Sequence, residues 1–215
     1  MKKLMAGLLA AVCFGPLYSV HAQQGDPQAG SQKNALCVGC HGIKGYHTGF
    51  PEVYRVPMLS GQSAGYLVSA LNDYKTGARK HPSMGTTALS LTAQDAADLA
   101  AYYESTGLTA ETSAKPIDGA AGAALVEKGG CIACHGAGLA KPIAPNYPKV
   151  AGQHSDYVYA ALRAYKTENK PQIGRNNPIM GGIVKQFSDK ELQEIARYVE
   201  SLPTTMQTIQ PNRFR

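Results

Sequence analysis

The sequence predicts an all-α protein built as two tandem, homologous helical domains. Two observations carry that prediction: the halves of the chain repeat one another in register, and several segments between turn signals place apolar residues at helical spacing. At 215 residues the chain has room for one large domain or two small ones, and the repeat decides for two. Hydrophobic residues make up 44% and charged residues 17%, the balance of a globular chain that buries a core. Tryptophan is absent and aromatics reach only 7%. Two cores of this size therefore need filling by something besides large side chains.

Residues 1–22 read as a secretory leader: Met1-Lys2-Lys3, the apolar run 4–14, a break at Gly15-Pro16, and Val20-His21-Ala22 before Gln23-Gln24. The apolar run falls well short of the roughly 20 residues that span a bilayer, so cleavage after Ala22 and export to the periplasm are expected. Cys13 follows Val12, too large a residue to precede a lipoprotein cysteine. Removing residues 1–22 takes away Lys2, Lys3 and Cys13, lowering the formal charge from +6 to +4 and leaving four of the five cysteines.

The first domain is expected over 23–108. Asp26-Pro27 starts a helix that carries into Cys37, with proline at the first helical position. Helical spacing with interleaved tyrosines predicts helices over 63–75 and 155–166. Thr92-x-x-Asp95 and Ser188-x-x-Glu191 resemble capping boxes, opening helices over 93–104 and 189–200. Residues 109–119, small and polar around Lys115-Pro116, read as the linker. The second domain then spans 120–202, and 203–215 form a C-terminal tail.

The four remaining cysteines lie in two copies of C-x-x-C-H, Cys37-Val38-Gly39-Cys40-His41 and Cys131-Ile132-Ala133-Cys134-His135. This is the attachment sequence of c-type haem. One helical turn presents both sulfurs to the two vinyl groups of one porphyrin, and the next residue directs an imidazole at the iron. Three other readings use the same residues. A thioredoxin-like pair needs a βαβ setting, and no alternating strand pattern surrounds either motif. A zinc cluster would join the two pairs, yet they sit 94 residues apart in separate repeats. A disulfide within each pair leaves the histidine without a role. Two covalently bound haem c groups are the expectation.

The repeat extends well beyond these motifs. Gly61-Gln62, Tyr66, Leu71 and Tyr74-Lys75-Thr76 match Gly152-Gln153, Tyr157, Leu162 and Tyr165-Lys166-Thr167 at an offset of 91. Arg79, Pro82 and Met84-Gly85 match Arg175, Pro178 and Met180-Gly181 at 96. A carrier haem generally takes a second axial ligand, and methionine there raises the potential relative to bis-histidine ligation. Of Met58, Met84, Met180 and Met206, only Met84 and Met180 are equivalent under the repeat, both in R-x-x-P-x-M-G loops. Met58 aligns with Lys149. No histidine outside the motifs recurs: His81 aligns with Asn177 and His154 with Ser63, so His47 and His81 are alternative ligands in the first domain only.

With C-x-x-C-H, G-Q-x-x-x-Y, R-x-x-P-x-M-G and a capped final helix each present twice, the chain resembles the dihaem cytochrome c4 family over nearly all of the mature sequence. The resemblance implies two class I cytochrome c domains related by an approximate internal two-fold, with haem propionate edges facing across the interface. It implies a periplasmic electron carrier rather than an enzyme, taking electrons from a quinol-oxidising bc-type complex and giving them to a terminal oxidase. It implies no nucleic-acid partner and is compatible with peripheral membrane association. His41 with Met84 and His135 with Met180 would be the axial pairs. Gln62, Tyr66, Tyr74, Arg79, Gln153, Tyr157, Tyr165 and Arg175 are candidates for propionate contacts, since buried carboxylates need partners; ordinary helix packing is the other use of these residues. The departure from the family pattern is the longer stretch between His41 and Gly61.

The alternative is an electron-transfer subunit, or a haem-dependent oxidoreductase component, of a larger enzyme. Catalysis would need a displaceable ligand, which two equivalent methionines argue against. Residues 23–110 carry six basic and six acidic side chains, whereas 111–215 carry thirteen and nine, so the basic excess belongs to the second domain. That predicts docking of the second domain on an acidic partner surface.

Overall fold

A computed structural model describes residues 24–115, 121–167 and 170–210. The expected leader and its cleavage site, part of the linker and the end of the tail lie outside the described residues. The first half holds helices α1 (Pro27–Lys33), α2 (Ala35–His41), α3 (Ala64–Thr76), α4 (Pro82–Leu89) and α5 (Ala93–Ser105), with two-residue strands β1 (His47–Thr48), β2 (Tyr54–Arg55) and β3 (Arg79–Lys80). The second half holds α6 (Ala121–Lys128), α7 (Ile132–His135), α8 (Ser155–Ala164), β4 (Gly174–Arg175), α9 (Pro178–Val184) and α10 (Asp189–Ser201). Among the described residues, no helix is long and apolar enough to cross a membrane.

Local chemistry explains the helix ends. The Asp26 carboxylate accepts the Gln28 N–H at 2.8 Å, and Pro27 opens α1. Both capping boxes form. Thr92 Oγ1 accepts the Asp95 N–H at 3.1 Å while Asp95 accepts the Thr92 N–H at 3.0 Å; Ser188 and Glu191 do the same at 3.3 and 2.7 Å. α3 stops at Gly77, whose φ of +81° is the left-handed conformation that favours glycine. Two expectations change. The first helix does not run unbroken into Cys37: it divides at Asn34, whose carbonyl accepts the N–H groups of Cys37 and Val38. The R-x-x-P-x-M-G segments are helical rather than loops, because the proline sits at N1, where its missing N–H costs nothing.

In each domain a glycine lets the N-terminal helix cross the C-terminal one at backbone contact. A Cβ on Gly30 would lie 2.0 Å from the Asp98 carbonyl oxygen, and one on Gly122 would lie 2.6 Å from that of Glu194. Gly30→Ala is therefore expected to cost about 1–3 kcal/mol through overpacking, read as a lower urea midpoint at unchanged m-value.

The second domain buries Val126, Leu139, Val158, Phe187, Leu192, Ile195 and Val199 in one cluster. The corresponding cluster of the first domain has only Leu67, Ala100 and Tyr103 at its centre. The domains meet where β3 pairs antiparallel with β4, Arg79 opposite Arg175. Because each arginine is the other's repeat equivalent, the approximate two-fold axis passes between them.

Two segments that the repeat does not cover strap the halves together. In the longer first-domain stretch, Arg55 reaches the second domain: its Nε donates to Asp156 at 3.0 Å, and Nη1 and Nη2 donate to Glu200 at 2.7 and 3.1 Å. After α10, residues 202–210 pack back along the first domain. The Gln207 N–H donates to the Ser60 carbonyl, and the Thr205 carbonyl accepts the Leu108 N–H. Met206, expected to lie beyond the second domain, is buried with its sulfur accepting from Gln62. The linker runs alongside, with Thr112 and Lys115 N–H groups donating to the Thr204 and Ser201 carbonyls.

Candidate cofactor site

A single cavity of about 670 Å³ runs across the domain interface. It is lined by Cys37, Cys40, His41 and Met84 from the first domain and by Cys131, Cys134, His135 and Met180 from the second. The structure thus brings together both C-x-x-C-H motifs and both repeat-equivalent methionines.

α2 and α7 end on the two histidines, each held by a carbonyl opposite. His41 Nδ1 lies 2.9 Å from the Pro57 carbonyl oxygen and His135 Nδ1 lies 2.8 Å from that of Pro148. A carbonyl can only accept, so Nδ1 carries the proton and Nε2 keeps its lone pair in each ring. Burial pushes both imidazoles below the usual histidine pKa, against the opposing pull of those carbonyls. Two neutral imidazoles with Nε2 free are the form that ligates a metal. No disulfide joins the four cysteines of the two motifs, so their sulfurs are available for attachment.

Met84 and Met180 are fixed from behind by a cap that the sequence reading missed. His81 Nδ1 accepts the Met84 N–H at 3.4 Å, and Asn177 Oδ1 accepts the Met180 N–H at 3.0 Å. His81 and Asn177 align under the repeat, and Asn177 is a preferred N-cap type; their shared place before Pro82 and Pro178 was the available signal. His81 thus spends Nδ1 on the backbone of the methionine helix. His47 and His154 stand 3.9 and 3.8 Å from Asp156 and Glu200 in the interdomain charge cluster.

Around the two-fold axis the cavity wall carries two guanidiniums among four tyrosines. Arg79 Nη2 donates to Tyr66 Oη and Arg175 Nη2 to Tyr157 Oη, both at 3.0 Å. The guanidinium carbons also lie 5.2–5.8 Å from the ring centroids of Tyr66 and Tyr74, and of Tyr157 and Tyr165. Burial raises the Tyr66 hydroxyl to about 12, so it stays a neutral phenol. Among the described residues, only Asp73, 3.5 Å from Arg79 Nε and partly exposed, pairs its carboxylate with either arginine. A buried and a half-buried cation with so little counter-charge suit an anionic group between them.

Gln62 and Gln153 line the same cavity, but their amides are committed elsewhere. Gln62 Oε1 accepts the Lys149 N–H at 2.9 Å and its Nε2 donates to the Lys149 carbonyl at 2.8 Å; Gln153 makes the same pair with Met58 at 3.1 and 3.0 Å. Each glutamine thus reads the backbone of the opposite domain. Nothing in their spacing announces it, because the bond exists only once the domains meet.

The residues present fit two c-type haems. Each half supplies a thiol pair, a neutral imidazole with a free nitrogen and a thioether, and the arginines supply positive charge at the interface. The family comparisons point the same way. The cytochrome c family model matches residues 28–107 and again 119–203, so each half is a cytochrome c domain and the chain carries two covalently bound haems. A curated cytochrome c4 from Thiocapsa roseopersicina is 33% identical over 84% of this chain and 94% of its own length. A thiosulfate dehydrogenase electron acceptor from Stutzerimonas stutzeri is 31% identical over 90% of this chain and 92% of its own. The crystal structure of reduced recombinant cytochrome c4 from Pseudomonas stutzeri superposes with a TM-score of 0.62 at 29% identity, covering 83% of this chain and 99% of that one. The chain belongs to the cytochrome c4 family: it is a dihaem cytochrome that carries electrons.

Proposed function

We propose that the protein is exported to the periplasm after cleavage behind Ala22 and passes electrons from a quinol-oxidising bc-type complex to a terminal oxidase. In this reading Cys37, Cys40, Cys131 and Cys134 form the thioether bonds, and His41 with Met84 and His135 with Met180 are the axial pairs. The observation that carries it is the meeting of both complete ligand sets in one cavity across the interface. When bound, each haem supplies a one-electron iron couple.

The protein's own part is to hold and insulate. The Pro57 and Pro148 carbonyls fix the tautomer and plane of each histidine. The N-capped helices α4 and α9 hold their thioethers, so no coordination position is left for substrate. Arg79 and Arg175, with Tyr66, Tyr74, Tyr157 and Tyr165, place positive charge and hydroxyls where propionates would face one another.

Intact mass of the exported protein tests the reading: residues 23–215 plus two haems are expected. A mass with one haem, or alkylatable thiols at Cys37 and Cys131, overturns it. A second reading has specific support in the similarity to the Stutzerimonas stutzeri thiosulfate dehydrogenase electron acceptor: the donor is a thiosulfate dehydrogenase. Stopped-flow reduction by isolated bc-type complex and by isolated thiosulfate dehydrogenase separates the two, since only the true donor should reduce it at a rate that falls with salt.

A further inference from the structure

We propose that Gln62 and Gln153 tune the haems in trans: each sets the reduction potential of the haem held by the opposite domain, through the peptide unit that anchors that haem's axial histidine. This rests on the proposed ligation by His41 and His135.

The geometry is a chain through one amide. The His41 Nδ1–H donates to the Pro57 carbonyl at 2.9 Å, and the N–H of that same peptide unit, which belongs to Met58, donates to Gln153 Oε1 at 3.1 Å. The His135 Nδ1–H donates to the Pro148 carbonyl at 2.8 Å, and the Lys149 N–H donates to Gln62 Oε1 at 2.9 Å. Each chain starts on an axial histidine in one domain and ends on a glutamine in the other. Met58 and Lys149 are equivalent under the repeat, as are Gln62 and Gln153, so one construction is used twice. The glutamines are only 3% and 5% exposed.

An amide transmits polarisation. When its N–H donates to an acceptor, electron density shifts to its oxygen, and in a low-dielectric interior successive bonds strengthen one another. A stronger acceptor on Nδ1–H makes the imidazole a more basic ligand, which favours the oxidised iron and lowers the potential. Removing the glutamine should therefore raise the potential of the haem across the interface. Simple adhesion between domains predicts something else: loosening the interface admits water to both haems and lowers both potentials together.

The test uses the holo-protein with Gln153→Leu and, separately, Gln62→Leu. The potential of each haem is resolved by a redox titration followed by NMR of its own resonances. Gln153→Leu is expected to raise the first-domain potential by a threefold to tenfold change in the equilibrium constant, about 28–59 mV for one electron. It should also move the Nδ1 proton resonance of His41 in the reduced protein and leave His135 in place. Gln62→Leu should do the mirror image. Gln153→Met keeps the side-chain length without the amide; should leucine disturb docking, the shift confined to the His41 Nδ1 proton must still appear. A change in the glutamine's own domain, or a joint fall of both potentials, overturns the proposal. If wild type lacks methionine-sulfur-to-iron charge transfer or histidine ligation, the underlying assignment fails. If ligation stands and neither potential moves, this proposal alone fails.

Discussion

Met84→Ala is expected to abolish about half of the sulfur-to-ferric-iron charge-transfer band and to lower one of the two potentials, with Met180→Ala doing the same to the other. Loss of a thioether ligand is a large perturbation: axial ligands set haem potentials over a range of about 0.8 V, so a fall on the order of 100 mV or more in one haem is the expected scale. The fold should survive the change. α4 is started by Pro82 and capped by His81, and α9 by Pro178 and Asn177. None of those groups depends on the methionine side chain. Met58→Leu is the control. Met58 lines the cavity, yet its backbone is gripped by Gln153 and it has no methionine counterpart in the second domain. Visible spectra and a redox titration of the three variants decide the matter: if Met58→Leu removes the band, the repeat has misassigned the ligands.

Most of the elements that recur twice were legible from the sequence, because each was reported by two independent copies. The capping boxes at Thr92 and Ser188 and the α3 and α8 helices fall where the spacing puts them, to within a residue or two. The cofactor was legible because C-x-x-C-H has few other uses. Apart from the helical form of the R-x-x-P-x-M-G segments and their His81 and Asn177 caps, what escaped has no second copy or exists only after docking. Arg55 sits in a stretch unique to the first domain. Met206 follows Pro203 with no periodicity to mark it as core, and is buried only because the chain folds back along Ser60. The glutamines looked like cofactor contacts because they recur beside the site. Their amides bind backbone that no sequence pattern could place across an interface.

Arg55 is the single side chain whose loss should most weaken that interface. Its guanidinium joins Asp156 and Glu200 at 2.7–3.1 Å, and its own N–H donates to Asp156 at 2.9 Å. In Arg55→Ala both carboxylates stay in place without their cation. Breaking a buried ion pair costs about 3–5 kcal/mol. With the Arg55 side chain 27% exposed, solvent screening reduces that to about 2 kcal/mol. The change should appear in urea unfolding as a lower midpoint or as separation of the two domains' transitions. pH supplies the sharper test. Against the upward push of burial, bonds from Arg55 and Ser155 hold Glu200 down at about 2 from an ordinary 4.5, and Arg55 likewise lowers Asp156. A carboxylate with a depressed folded-state pKa contributes stability that is complete above its unfolded value and lost as pH falls through the folded one. Wild-type stability should therefore decline between about pH 4.5 and 2 more steeply than that of Arg55→Ala, in which both acids return toward their ordinary range. Asp95, held down chiefly by Lys33, and Asp98, held down chiefly by the Asp26 N–H and then by Lys33, decline in both proteins and cancel in the difference. Parallel pH profiles for the two proteins would show that the cluster contributes nothing to docking.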